Sequence, residues 1–192
     1  MTVRMPKAEL PAEMHETMIK QVGTIPEPLE VSFNNPQVAT ATQEFTDSAS
    51  KWNFVDQSLK TFAHMAVAAQ VGCSWCLDIN YFLALQQNLD MAKASQVPVW
   101  RESDVFTPVE RDVLDLAEAM TATPTTVTDE LHARLLAQLG PAAMVELEVF
   151  IAWANLATRV NTADGITSQG YSDSCEIPLA ARPQMAGARQ TS

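Results

Sequence analysis

The chain has 192 residues, enough for one domain or a tight pair of subdomains. Hydrophobic residues make up 47%, which excludes a disordered chain, and charged residues only 18%, a sparing use that points to surface hidden against a second copy. Twelve Lys and Arg face 23 Asp and Glu, a net charge of −11 with no basic cluster, so nucleic acid and anionic membrane are poor partners for it.

Taken in chain order, the pattern predicts a short helix over residues 11–21, ended by Gly23. Residues 24–36 carry three prolines and read as a loop; residues 37–52 read as a helix. Val55, Leu59, Phe62, Ala66 and Ala69 recur at three- and four-residue steps, so residues 55–71 form a helix that Gly72 breaks. A further helix starts at Cys73 and runs to about residue 88, followed by a short turn of helix over 90–96 that stops at Val97-Pro98. Thr107, Pro108 and Glu110 are spaced as a capping box, and Val113, Leu114, Ala117 and Met120 give that helix a buried stripe. Thr128 caps the next helix, Gly140 closes it, and residues 141–161 form the longest one.

No stretch alternates as a strand does. The fold class is therefore all-α, with antiparallel helices around one core. The expected organisation is an N-terminal segment (1–25), a helical domain (26–170) and a tail (171–192) that wraps a neighbour or stays loose. The longest charge-free run, residues 61–77, is too short to span a bilayer. The N-terminus lacks an apolar signal region, and an odd count of three Cys argues against a secreted disulfide framework, so the expected compartment is the cytoplasm.

The chemistry-bearing motif is Cys73-Ser74-Trp75-Cys76, behind Gly72. Two cysteines at i and i+3 share a helix face within the span of a disulfide. At a first helical turn, the dipole and the unpaired N–H groups favour thiolate over thiol. The second sulfur can then resolve whatever forms on the first. A metal site would need about four ligands, and beyond the pair the chain offers only Cys175 and three His. Two small core residues are a further reading. A thioredoxin-like arrangement is disfavoured because a helix, not a strand, precedes the motif.

The segment LKTFAHMAVAAQVGCSWCLDINYFLALQQNLD resembles the core of the carboxymuconolactone decarboxylase superfamily, particularly its alkylhydroperoxidase-D-like branch. The segments TPVERDVLDLAEAMT and WANLATRVNTADG agree with it, so the likeness covers residues 30–166. The resemblance implies an all-helical homo-trimer or hexamer. It further implies an antioxidant peroxidase or disulfide reductase with a redox-active cysteine pair and no bound cofactor. Hydroperoxide or a disulfide would be the substrate, and a protein or small thiol the electron donor. It places the attacking sulfur on Cys76 and the resolving one on Cys73, whereas proximity to the helix end favours Cys73.

Three positions depart from the family's proton relay. Its Glu twelve residues before the first Cys is Thr61, its His four after the second Cys is Asn80, and the His just before the second Cys is Trp75. None titrates near pH 7. His64, one turn after Thr61, is the candidate replacement, with a core or interface His as the plain alternative. Thr61 and Asn80 could donate hydrogen bonds but not protons. Asp78 reads as a solvated first-turn acid. Glu146, on a stripe with Val149, Phe150, Trp153 and Ala157, reads as a buried base or as a salt bridge to an Arg of another chain. Trp75 and Trp153 line an aromatic pocket or simply pack.

Two other functions keep the same fold. One is a decarboxylase-like enzyme acting on a small acid through Arg159 or His64. The other is a redox-sensing oligomer without catalysis. Cys175 would resolve an oxidised partner or stay uninvolved.

Overall fold

The computed structural model describes residues 3–181. It is all-α, and among the described residues no strand occurs. Helix α1 spans Ala12–Val22, α2 Glu27–Ser32, α3 Pro36–Ala49, α4 Gln57–Val71, α5 Ser74–Gln86, α6 Met91–Gln96, α7 Pro108–Thr121 and α8 Asp129–Ala163.

Helix α4 is the centre of the molecule. Every residue from Leu59 to Ala68 is buried, because α5, α7 and α8 pack around it. Neighbours on every side bury even its polar residues Lys60, Thr61 and His64. Phe62, Met65 and Val67 meet Leu114 and Leu116 of α7 and Leu147 and Ile151 of α8 in one apolar cluster. Each such side chain contributes about 1.5–3 kcal/mol on burial.

The predicted ends hold where local chemistry sets them. The Thr107–Glu110 capping box forms in both directions. Gly72 adopts φ +83° and closes α4. At Gly140 (φ +79°, ψ 168°) the α8 run breaks into two helical segments, as the sequence requires. The stretch 24–36 is not a plain loop. Pro26 caps α2 and Pro28 sits in its first turn, where proline costs no hydrogen bond. Past Pro98 the chain continues as a 3₁₀ turn, Val97–Glu102.

Glu146 is buried, and its partner is Lys60 of the same chain. It meets Lys60 Nζ at 3.0 Å, with side-chain exposures of 5% and 2%. Glu146 also accepts from the backbone N–H groups of Phe54 (2.8 Å) and Val55 (3.3 Å), while Lys60 donates to the Trp52 carbonyl (2.6 Å). The pair thereby fastens the α3–α4 connection onto α8. Lys60→Met would strand a buried carboxylate, so stability in urea is expected to fall by about 3 kcal/mol. An unchanged midpoint would show that the pair does not hold the connection.

Candidate functional site

The site begins at the turn between α4 and α5. The N–H groups of Gly72 and Cys73 both donate to the Ala68 carbonyl, at 2.9 Å each, which ends α4 in a left-handed turn. A Cβ at position 72 would meet nothing within 4 Å, so glycine is there for its backbone angle. The chain leaves the turn with Cys73 extended (φ −81°, ψ 93°), as the N-cap of α5. Its Sγ accepts the Cys76 N–H at 3.3 Å, the position a Ser or Asp oxygen takes in an ordinary cap.

Both sulfurs are free thiols, 2% and 1% exposed, packed against Ala68 with Trp75 and Leu77 beside them. The Cys76 thiol donates to Cys73, and this bond is the largest influence on either group. It draws the Cys73 thiol below its ordinary value. Burial opposes the shift, while the Cys76 N–H, Asn161 and Thr162 assist it. The same bond, burial and the neighbouring negative charge push Cys76 up. Asn161 Nδ2 donates to Cys76 Sγ at 3.2 Å. The shared hydrogen bond thus pulls the two thiols apart, Cys73 down and Cys76 up.

Of the other expected site residues, Trp75 packs beside the cysteines, while the side chains of Thr61, Asn80 and His64 make no hydrogen bond to either sulfur. Thr61 is buried toward the far end of α5, where its hydroxyl meets Gln87 at 3.3 Å. Asn80 turns its amide back onto the Cys76 carbonyl (2.7 Å). His64 packs edge-on against Phe150 and Trp153, with ring centroids at 6.2 and 5.2 Å, and its buried Nε2 has no hydrogen-bond partner. Burial holds its pKa down to about 4, so the ring is neutral near pH 7. Trp75 donates from Nε1 to Gln169 Oε1 at 2.7 Å and meets Tyr171 edge-on.

Asp78 is not a solvated acid. It is 4% exposed and accepts six hydrogen bonds from the strap at residues 168–172. Four come from the consecutive backbone N–H groups of Gln169, Gly170, Tyr171 and Ser172 at 2.7–3.1 Å, and two from the hydroxyls of Ser168 and Ser172. The Ser168 N–H also donates to Ser74 Oγ at 3.1 Å, between the two cysteines. Gln169 continues the strap to the Ile25 carbonyl (3.0 Å) and the Glu27 N–H (2.9 Å). The strap therefore lies across the first turn of α5, bonded to Ser74, Trp75 and Asp78.

The described part of the tail folds back onto its own chain. Tyr81 donates to the Ile177 carbonyl (2.6 Å) and Ala180 to the Ser95 carbonyl (2.9 Å). Residues 182–192 of the expected tail lie outside the described residues. Cys175 is half-buried there, its thiol pushed up by burial and by the charge of Asp78.

Sequence reasoning missed Asn161 and Thr162 as neighbours of the sulfurs. The available signal was their place eight and nine residues beyond Trp153 on one helix. Arg159 lines an open recess of about 460 Å³ with Met120, Pro124, Ala152 and Asn155 among its walls. Its guanidinium donates to the Thr121 carbonyl (2.7 Å) and to Asn155 Oδ1 (3.4 Å).

Residues 36–119 match the model of the carboxymuconolactone decarboxylase family. The uncharacterized protein YnjA of Escherichia coli K12 is 34% identical over 124 residues, 65% of this chain and 66% of YnjA, so the chain spans just under two thirds of that relative. Two solved structures share the fold. The debrominase Bmp8 superposes with a TM-score of 0.77 at 19% identity, over 90% of this chain and 95% of Bmp8. An uncharacterized peroxidase-related protein with an alkylhydroperoxidase AhpD core, from Ralstonia eutropha JMP134, gives 0.75 at 17% identity, over 89% and 95%.

Proposed function

The chain belongs to the carboxymuconolactone decarboxylase superfamily and has its AhpD-like helical fold, and from that premise we propose that it is a thiol-dependent peroxidase cycling Cys73 and Cys76 between dithiol and disulfide. The observation that carries the proposal is Cys73 at the α5 N-cap, where its sulfur accepts the Cys76 N–H. Cys73 thiolate attacks the outer oxygen of a hydroperoxide. An S–O bond forms, the O–O bond breaks, and the alkoxide leaves as the alcohol after taking a proton. Cys76 then attacks the Cys73 sulfenic acid; the S–S bond forms and water leaves. Two electrons from a thiol donor return the pair to the dithiol.

This order gives Cys73 the attack and Cys76 the resolving step, the reverse of what the resemblance implied. The thiol lowered at Cys73 and raised at Cys76 supports it. Among the described residues no carboxylate or imidazole is bonded to either sulfur, so water or Cys76 itself supplies the leaving proton.

We place the protein in the cytoplasm as a homo-oligomer. Val145, Val149, Leu156 and Val160 are 62%, 40%, 54% and 50% exposed along one side of α8, an apolar stripe that a second copy would cover. Enzyme assays of the reduced chain with an organic hydroperoxide and a dithiol donor test the function. Turnover with loss of both thiols to an internal disulfide is expected. Peroxide consumption at the uncatalysed rate, with Cys73 and Cys76 still titrating as thiols, removes it.

A further inference from the structure

The last turn of α8 brings a polar side chain to the cysteine pair. Asn161 is 5% exposed, and its Nδ2 donates to Cys76 Sγ at 3.2 Å. The turn that carries it is itself tied down. The Asn161 carbonyl accepts the Ile166 N–H at 2.9 Å, and Arg4 of the N-terminal segment donates to the Ala163 carbonyl at 2.6 Å. The amide is therefore in position before any reaction starts.

The neighbouring polar side chains are engaged elsewhere. Thr162 has a single hydroxyl proton and shares it with the Thr158 carbonyl at 2.7 Å. Asn80 donates to the Cys76 carbonyl at 2.7 Å, not to the sulfur. The Cys76 thiol directs its own proton at Cys73, which leaves the Sγ lone pairs to Asn161. Only the NH₂ edge of an amide can answer a lone pair.

Closing the disulfide puts charge on that same sulfur. Cys76 gives up its proton and its sulfur attacks the Cys73 sulfur. The S–S bond forms, and the sulfenic hydroxyl leaves with the proton as water. Negative charge develops on Cys76 Sγ as the proton departs. The bond to Cys73, burial and the neighbouring charge all oppose it. A donor already at 3.2 Å works against all three without having to move.

We propose that Asn161 is a catalytic residue of the pair, donating from Nδ2 to the Cys76 sulfur as that sulfur becomes the resolving thiolate. The role rests on the peroxidase reading only for the source of oxidised Cys73. The closing step is the same when a disulfide supplies the oxidation.

The test uses the full chain with Cys175→Ser, which leaves the pair as its only thiols, and dipyridyl disulfide as oxidant. Attack by Cys73 releases one thiopyridone and leaves a mixed disulfide. Cys76 then displaces the second thiopyridone and closes the pair. Two absorbance phases therefore report attack and closure separately. Asn161→Leu keeps the branching of the side chain and loses the donor. It is expected to slow closure at least about tenfold more than attack. The pH at which closure reaches half its limiting rate should also move up, because the lost bond favoured the thiolate. Asn161→Ala decides the matter if Asn161→Leu does not fold. With an organic hydroperoxide, the same variants should leave more Cys73 sulfenic acid for a dione to trap than the parent does. Closure slowed no more than attack, or keeping the parent's pH profile, overturns the role. Slowed closure in a chain that does not turn over hydroperoxide supports the role and removes only the peroxidase reading. Hydroperoxide turnover with unchanged closure does the reverse.

Discussion

Cys73→Ser is expected to lose hydroperoxide turnover by on the order of 10³-fold or more, while Cys76→Ser loses turnover but still reacts once. A serine oxygen at position 73 can accept the Cys76 N–H as the sulfur does, so α5 keeps its cap and the fold its stability. What disappears is the attacking thiolate. In Cys76→Ser the thiolate remains and the resolving sulfur is gone, so oxidation stops at the Cys73 sulfenic acid. Mass spectrometry after trapping with a sulfenate-specific dione should find one adduct, on Cys73, in Cys76→Ser and none in Cys73→Ser. The opposite pattern, an adduct on Cys76 in Cys73→Ser, would give Cys76 the attack, as the family resemblance implies. Full turnover in both variants would take the chemistry away from the pair altogether. Cys76→Ala, unlike Cys76→Ser with its hydroxyl, removes the hydrogen bond that lowers Cys73, so its single reaction should be slower than that of Cys76→Ser.

The features legible in the sequence are those fixed by near neighbours. Gly72 had to end α4, since a left-handed turn followed at once by an N-cap leaves little choice but glycine. Thr107 and Glu110, three residues apart, wrote the start of α7. The cysteine spacing likewise announced a shared face. Asp78 defeated the same reasoning. Its position two residues past Cys76 does turn it from the sulfurs, and a carboxylate in a first helical turn is usually solvated. Its partners, however, are backbone N–H groups some 90 residues later, which no side-chain pattern records. Glu146 was legible as buried, but its distance from Lys60 in the chain hid the partner. The prolines of residues 24–36 misled for a local reason, since proline opens a helix as readily as it ends one. His64 lay on the expected helix. Periodicity, however, cannot say which neighbour a face meets, and the structure turns the ring toward Phe150 and Trp153.

Asp78→Asn is expected to destabilise the protein by about 4 kcal/mol and to release the strap from the first turn of α5. The carboxylate accepts six hydrogen bonds, four of them from fixed backbone donors. An amide keeps one acceptor oxygen and turns an NH₂ group toward N–H groups, so donors face donors. Buried without partners, those N–H groups would need water, and the strap would have to lift to reach it. Ser168 would then leave Ser74, and Gln169 would leave Trp75, uncovering the turn that carries the cysteines. Two measurements follow from one substitution. The urea midpoint should fall, and a bulky disulfide reagent should react with Cys73 at least about tenfold faster than in the parent chain, because opening then costs less.

The pH dependence has a definite sign. Burial alone would raise the Asp78 pKa, but the bonds from Ser172, Ser168 and Tyr171 outweigh it and hold the group below the ordinary carboxylate value. Its contribution to stability is therefore complete above the unfolded pKa of about 3.9 and is lost as pH falls through the lower folded value. The parent strap should loosen only in acid below about pH 4, and this acid component should be missing from Asp78→Asn. A variant with the parent's midpoint, thiol reactivity and acid transition would mean that the strap is held by something other than this carboxylate.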